Sequence, residues 1–287
     1  MHEPVLLEEI LEGLKIKEGG KYIDATVGDG GHSLEILRRG GKVLGMDLDE
    51  GSLTRAKENF EKEGFSDFVL AQGNFAEIDN TAEANGFSEV NGVLFDLGYS
   101  SSQLEDVEIG LSFSKEQVLD MRLDKSLGVT AADLLAALPE GELERLFREY
   151  GEERSARRYA KAIVERRGVK RLETTKQLAE LIVEAAPPGR DRLHPATRIF
   201  QALRIAVNRE LENLELTLPR TARLLLPGGR MAIISFHSLE DRVVKNFGLG
   251  VQADLIAVNK KPITPSEEEI SRNPRARSAK LRIFEKK

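Results

Sequence analysis

From residue 21 the chain alternates short apolar runs with segments of helical spacing. The runs "KYIDAT", "KVLGMDL", "FVLAQG" and "VNGVLFDLG" read as strands, and "SLEILRRG" and "DEGSLTRAKENFEKEG" separate the first three as helices. In the second helix Leu53, Ala56 and Phe60 recur at helical spacing, Asp49 supplies an N-cap and Gly64 a stop. Repeated βα units of this size predict an α/β fold with a parallel sheet and helices on both faces.

The rhythm changes after "DLGYSSSQLED". Between residues 104 and 206 the patterns are helical: "AADLLAAL", "GELERLFREYGEERSARRYAKAIVERRG" and "TTKQLAELIVEAA". The last opens with a capping box from Thr174 to Gln177 and closes at Pro187 and Pro188. "HPATRIFQALRIAVNRELENLE" predicts one long helix from Pro195, with Ile199, Leu203, Ala206, Val207 and Leu211 on a buried face and Arg204, Asn208 and Glu212 on another. Strand signals return at "GGRMAIISF", "ADLIAVNKK" and "AKLRIFEKK". The predicted organisation is a discontinuous sheet domain, residues 1–103 with 207–287, interrupted by an all-helical domain at 104–206. Residues 260–280, "KKPITPSEEEISRNPRARSAK", form a polar, proline-punctuated stretch of a kind that is either functional or disordered.

Composition narrows the classes. Of the 287 residues 40% are hydrophobic, ample for a packed core, yet no apolar run approaches the roughly 18 residues that cross a bilayer. Glu3, Glu8, Glu9 and Glu12 stand where a signal peptide would be basic, so a cytoplasmic location is the expectation. The absence of cysteine excludes disulfides, thiolate metal sites and cysteine nucleophiles, and no metal is expected. The net charge of -6 hides a division: residues 1–150 hold 14 Lys+Arg against 31 Asp+Glu, and residues 151–287 hold 28 against 17. A basic half attracts a polyanion even in an acidic protein; solvated helix faces paired with the acidic half account for the same counts.

The turn "DATVGDGGHS", residues 24–33, joins the first strand to the first helix. Its glycines Gly28, Gly30 and Gly31 either just permit a tight turn or approach a bound nucleotide. Asp47, 19 residues after Gly28 at the end of the second strand, is placed to hold a ribose hydroxyl pair. A dinucleotide fingerprint has its last glycine where this chain has Ser33. Asp24 and Asp29 would repel a pyrophosphate and suit the cationic sulfonium and amino group of S-adenosylmethionine. Phe75 after the third strand is placed to cover an adenine, and Asp96 after the fourth lies at the usual ligand crevice; as alternatives, the first is a core residue and the second a turn residue.

Taken together, "HEPVLLEEILEGL", "YIDATVGDGGHS", "GMDLDEGSL", "FDLGYSSSQLED", "LDMRLD", "HPATRIFQALRIAVNRELENLE", "ISFHSLEDRVVKNF" and "NPRARSAKLR" resemble the bacterial 16S ribosomal RNA cytosine-N4 methyltransferases over nearly the whole chain. The resemblance implies a Rossmann-like class I methyltransferase sheet with an inserted helical substrate-recognition domain. It implies transfer of a methyl group from S-adenosyl-L-methionine to the exocyclic amine of one cytosine in the decoding region. Cofactor contacts carried over by it are Gly30, Gly31, His32, Asp47, Phe75, Asp96 and Gln103. Where the family has "DLGVSSPQL" this chain has Tyr99 and Ser102, and "SFSKEQVLDMR" also departs from the family pattern; both bear on the target-base pocket.

Methylation at ring carbon 5 of a pyrimidine uses a cysteine thiolate, which this chain lacks, so attack comes directly from nitrogen or oxygen. The cytosine amine needs alignment and hydrogen-bond acceptors more than a strong base. Asp96 and Ser100 of "GYSSS" are the expected acceptors, and Tyr99 is a candidate to stack on the base. His237 is either a further contact or a bystander at a helix entry where Ser238 and Asp241 form a capping box. RNA contacts are expected at Arg122, His194, Arg198, Arg204, Asn208, Arg242, Arg275, Arg277 and Lys280, with the basic stretch 154–171 adding charge. His194 and Arg198 are read equally well as structural. The expected partner is the small ribosomal subunit, with no membrane, and a homodimer is compatible with the sequence. A nicotinamide oxidoreductase is disfavoured by the turn, and a DNA amino-methyltransferase by "DLGY" in place of "[DNS]PP[YF]". An assembly factor that only binds S-adenosylmethionine is the non-catalytic alternative.

Overall fold

The computed structural model describes residues 3–99, 103–104, 106–188, 193–250 and 254–287. The chain divides into two compact units, Met1–Gly98 with Leu211–Lys287, and Tyr99–Glu210. The junctions thus fall at Gly98/Tyr99 and Glu210/Leu211, beside the sequence expectation of 103/104 and 206/207.

The first unit is built on a seven-stranded sheet. Its strands are β1 (Lys21–Asp24), β2 (Lys42–Asp47), β3 (Phe68–Gln72), β4 (Val90–Asp96), β5 (Leu225–Ser235), β6 (Leu255–Ala257) and β7 (Lys280–Lys286). They lie in the order β3-β2-β1-β4-β5-β7-β6. β1 to β5 are parallel, as the alternating pattern predicts, but β7 runs antiparallel to β5 and β6 antiparallel to β7. The chain enters β7 with Lys280 opposite Ser235, at the end where β5 finishes. A parallel strand there would need a further crossover.

Successive residues of each strand face opposite layers. Tyr22, Val43, Leu94, Ala232 and Ile283 pack with α1 (Leu7–Leu14), α2 (Gly31–Arg38) and α3 (Glu50–Lys62). Ile23, Leu44, Phe95, Ile233 and Phe284 pack with α4 (Ile78–Ala84) and with two later helices, Glu210–Leu224 and Ser238–Leu249. α1 carries Leu7, Ile10, Leu11 and Leu14 at helical spacing, a signal that the expectation above left unassigned. Residues 260–280 are not irregular throughout: they contain the helix Glu267–Arg272 and a 3-10 turn, Pro274–Ser278. The stretch is held by the N-terminal segment, since Leu6 N–H donates to Glu269 at 2.8 Å and Asn273 donates to the Glu3 carbonyl at 3.2 Å.

The second unit is helical: α5 (Ala131–Ala137), α6 (Glu140–Glu149), α7 (Ala156–Arg167), α8 (Thr175–Ala185) and α9 (Ala196–Asn208). Leu143, Phe147, Tyr159, Ile163, Leu178 and Leu203 are among its buried centre. Two segments expected as single helices are broken. Between α6 and α7 Glu152 adopts φ +49, next to Gly151, where a Cβ would lie 2.6 Å from the Phe147 carbonyl. Between α9 and the helix Glu210–Leu224 (α10) Arg209 adopts φ +51. The break follows from Asn208, whose amide donates to the Met121 and Arg204 carbonyls and accepts from Leu123 N–H at 2.9 Å. Ser238–Leu249 is α11 and Glu267–Arg272 is α12.

The two ends of this unit meet. Tyr99 donates its hydroxyl to Glu210 at 2.7 Å, and Arg204 grips the same carboxylate at 2.8 and 3.0 Å. The Arg204 guanidinium also lies 4.3 Å from the centre of the Tyr99 ring.

Candidate active site

The glycine turn is shaped from both sides. Gly28 and Gly30 have φ of +51° and +86°, conformations that side chains rarely adopt. A Cβ on Gly30 would lie 2.5 Å from the Phe60 ring, and one on Gly31 would lie 2.7 Å from Pro4. At the place of a dinucleotide fingerprint's last glycine, Ser33 is fully buried and donates to Asp24 Oδ2 at 2.7 Å.

Asp24, Asp47 and Asp96 end strands β1, β2 and β4. β1 and β4 flank the point where the strand order reverses, the crevice in which open α/β sheets bind ligands. Asp47 accepts N–H groups from Gly28 and Asp49, each at 2.9 Å, which fixes the turn against β2. Burial raises its pKa, opposed by those backbone donors. Asp24 is fully buried, and burial pushes it up to about 6, against the pull of His32, Ser33 and Thr26. Asp96, its side chain 23% exposed, is also raised by burial, with His32 and Gly98 N–H opposing and Glu240 adding to the rise.

One carboxylate expected in the crevice is spent elsewhere. Asp29 accepts from Arg55 Nε at 2.8 Å, so its charge is compensated by α3. The acidic partner of Asp24 is Asp96. Arg55, in turn, is also 3.4 Å from Asp49. The carboxylates at the switch point therefore suit a cationic nucleoside without phosphate, which is the fit that S-adenosylmethionine requires.

His32 is buried, with Nε2 2.9 Å from the Val5 carbonyl and Nδ1 3.8 Å from Asp96 Oδ2. Phe75 follows β3 in a turn capped by Asn74 and meets Phe95 edge-on at 5.9 Å. Ser100 lies outside the described residues, and Gln103 belongs to the second unit. The capping box at α11 is made by His237 and Glu240, not by Ser238 and Asp241. Asp241 is drawn away by Arg282 at 2.7 Å and Lys280 at 3.6 Å. His237 Nε2 is 3.1 Å from Glu240 Oε1 but at an angle that makes no hydrogen bond, and it is buried with no hydrogen-bond partner among the described residues.

Several expected RNA contacts have partners inside their own unit. Arg122 forks onto Asp120 at 2.7 and 2.9 Å, Arg198 lies 3.7 Å from Glu153, and Arg204 and Asn208 hold the end of α9 as described. His194 stacks on Phe113 and accepts from Ala196 N–H. Arg275, Arg277 and Arg242 are exposed, the last beside an apolar groove lined by Leu218, Leu239, Val243 and Phe247. In the basic stretch, Arg154, Arg157, Arg158 and Arg166 are exposed and carry no ion pair among the described residues. Sequence reasoning marked Ser33 only as the place of a missing glycine, not as a donor to Asp24, and did not find Thr26 or Glu240. Thr26 accepts Asp96 N–H at 2.6 Å, a contact across 70 residues that no local spacing announces.

Fold and site together define a class I, S-adenosylmethionine-dependent methyltransferase. The chain belongs to the MraW methylase family, whose model matches residues 1–287. It is 47% identical over 304 residues to the ribosomal RNA small subunit methyltransferase H of Carboxydothermus hydrogenoformans, covering 99% of this chain and 97% of that one. To the protein of the same name from Cyanothece sp. it is 48% identical over 288 residues, covering 100% and 95%. A crystal structure of a candidate rRNA methylase from Clostridium thermocellum matches all of both chains with a TM-score of 0.50 at 15% identity, a likeness of fold. Among the described residues no helix is long and apolar enough to cross a membrane.

Proposed function

We propose that this methyltransferase modifies the N4 amine of a cytosine in the decoding region of small-subunit ribosomal RNA. The observation that supports it is the Asp24–Asp96 carboxylate pair at the sheet's switch point, in a chain whose relatives are named for the small-subunit RNA. S-adenosylmethionine supplies an electrophilic methyl group on a sulfonium. The backbone of the turn Gly30–His32 would carry its amino-acid end, Asp47 would take the ribose hydroxyls and Phe75 would flank the adenine. Asp96, with Ser100 of the following loop, accepts the N–H groups of the cytosine amine. That amine is a poor nucleophile because its lone pair is delocalised into the ring, and alignment by fixed acceptors is what such a reaction needs. The exposed arginines of α7 and its leading turn, with Arg275 and Arg277, contact phosphates, and the target base is extruded from folded RNA. The cytoplasm is where such a substrate is met.

The test is to incubate the protein with isotope-labelled methyl donor and, separately, immature small subunits, naked RNA and DNA, and to digest the products to nucleosides for mass spectrometry. N4-methylcytidine from small-subunit RNA is expected. Label on carbon 5, on oxygen or in DNA overturns the reading, and donor binding with no transfer to any of them favours the non-catalytic assembly factor.

A further inference from the structure

His32 contributes a buried ring whose two nitrogens face two different groups. The Val5 carbonyl at 2.9 Å can only accept, so Nε2 carries a hydrogen. Nδ1 faces Asp96 Oδ2 at 3.8 Å, longer than a hydrogen bond but within ion-pair range. A lone pair on Nδ1 would repel that oxygen, whereas a second N–H would attract it. The other ionisable groups facing the pair are Asp24, at the end of β1, and Glu240, in the first turn of α11. Both are acidic, and a second N–H on the imidazole would be attracted to Asp24 and Asp96 alike.

We propose that the His32 side chain acts on Asp96 rather than on the methyl donor: anchored on Val5, it keeps Asp96 Oδ2 anionic and aimed into the crevice, ready to take the proton that the target amine must lose. The proposal rests on the reading of Asp96 as the acceptor for that amine. In the transfer, the nitrogen lone pair forms the new N–C bond and the C–S electron pair remains on sulfur. The surplus proton on nitrogen passes to Asp96, which becomes a neutral carboxylic acid. Burial and Glu240 both favour a proton on Asp96 before the reaction, which would block it; His32 opposes them. His32 is thus a positioning residue, and it ties the state of Asp96 to the N-terminal segment, where Pro4 covers Gly31 and Leu6 is bound to Glu269.

His32→Gln tests this, because the glutamine amide keeps a donor for Val5 and removes the charge. Its kcat is expected to fall on the acidic side of the pH profile, by up to about tenfold for a displacement of the acidic limb by about one pH unit, and to recover towards wild type at pH 9. The KM for S-adenosylmethionine is expected to change little. A loss equal at all pH values, or one carried by that KM, overturns the proposal. Nitrogen NMR on the 15N-histidine-labelled protein is a second measurement that needs no RNA. Asp96→Asn is expected to move the His32 Nδ1 resonance towards that of an unprotonated ring nitrogen; an unchanged resonance overturns the pairing. If the wild type methylates nothing while the resonance responds, the reading of the reaction fails and the pairing stands.

Discussion

The Ser33 hydroxyl meets Asp24 Oδ2 at 2.7 Å, and both residues are fully buried. The first strand's terminal acid is thus tied to the first helix by the side chain that replaces a fingerprint glycine. In a phosphate-binding turn that position is bare so that helix and strand approach closely. Here the position carries a donor, which an interior carboxylate requires.

The first consequence concerns pH. Asp24 titrates at about 6 in the folded protein against 3.8 ordinarily, so the native state holds this proton more tightly than the unfolded chain. The corresponding stability is complete below the unfolded value and is lost as pH rises through the folded one. Asp24→Asn is expected to stabilise the ligand-free protein at pH 7.5 by on the order of 1–3 kcal/mol, with the gain shrinking at pH 4. Urea titrations at both pH values check it; an equal shift at both would contradict the assignment.

Charge also separates donor from product. S-adenosylmethionine carries a sulfonium that S-adenosylhomocysteine lacks, and Asp96 ends β4 beside the point where the strand order reverses. Asp96→Asn is expected to weaken the donor by roughly tenfold more than the product, about 1.4 kcal/mol of charge interaction. If Asp47 holds the ribose as proposed, Asp47→Ala should weaken both alike, since both ligands carry that ribose. Calorimetric titration of the two ligands into each variant measures the difference.

Gly30→Ala places a methyl group 2.5 Å from the Phe60 ring at a φ of +86°. Strain and overpacking together should cost about 2–4 kcal/mol. Adding Phe60→Leu is expected to return part of the loss and leave the conformational strain, which urea midpoints of the single and double variants resolve.

Arginines in the second unit should separate by partner. Arg157→Ala and Arg158→Ala remove exposed charges and are expected to reduce the slope of log affinity for small subunits against log salt by about one each, with unchanged thermal stability. Arg204→Ala leaves the mostly buried Glu210 without its main counter-charge and should cost roughly 3 kcal/mol of stability. Filter binding across a salt series, beside thermal melts, distinguishes the two behaviours.

Periodicity made the five parallel strands, the helical insertion and the glycine turn legible, because each is written in neighbouring residues. The same local logic failed where a distant partner decides the outcome. Asp29 looks free in its turn until Arg55 of α3 reaches it. Asp241 looks like a capping residue until Arg282 of β7 takes it, leaving Glu240 to cap with His237. The helix expected through Arg209 ends there because Asn208 bonds to residues 85 and 87 positions earlier. Tyr99, offered as a platform for the base, has one face covered by Arg204.

The clasp of Tyr99, Glu210 and Arg204 bears on how the sheet is assembled. β4 and β5 are neighbours in space but are separated in sequence by the whole of Tyr99–Glu210. As an unfolded tether, a segment of that length would oppose their pairing by on the order of 4 kcal/mol of loop-closure entropy. Once folded, with its ends hydrogen-bonded at 2.7 Å, the insertion behaves as a connection of a few residues. Loop-closure entropy on this account favours folding of the insertion before pairing of β4 with β5, and a defect in the clasp is expected to surface as slow refolding of a sheet it does not belong to.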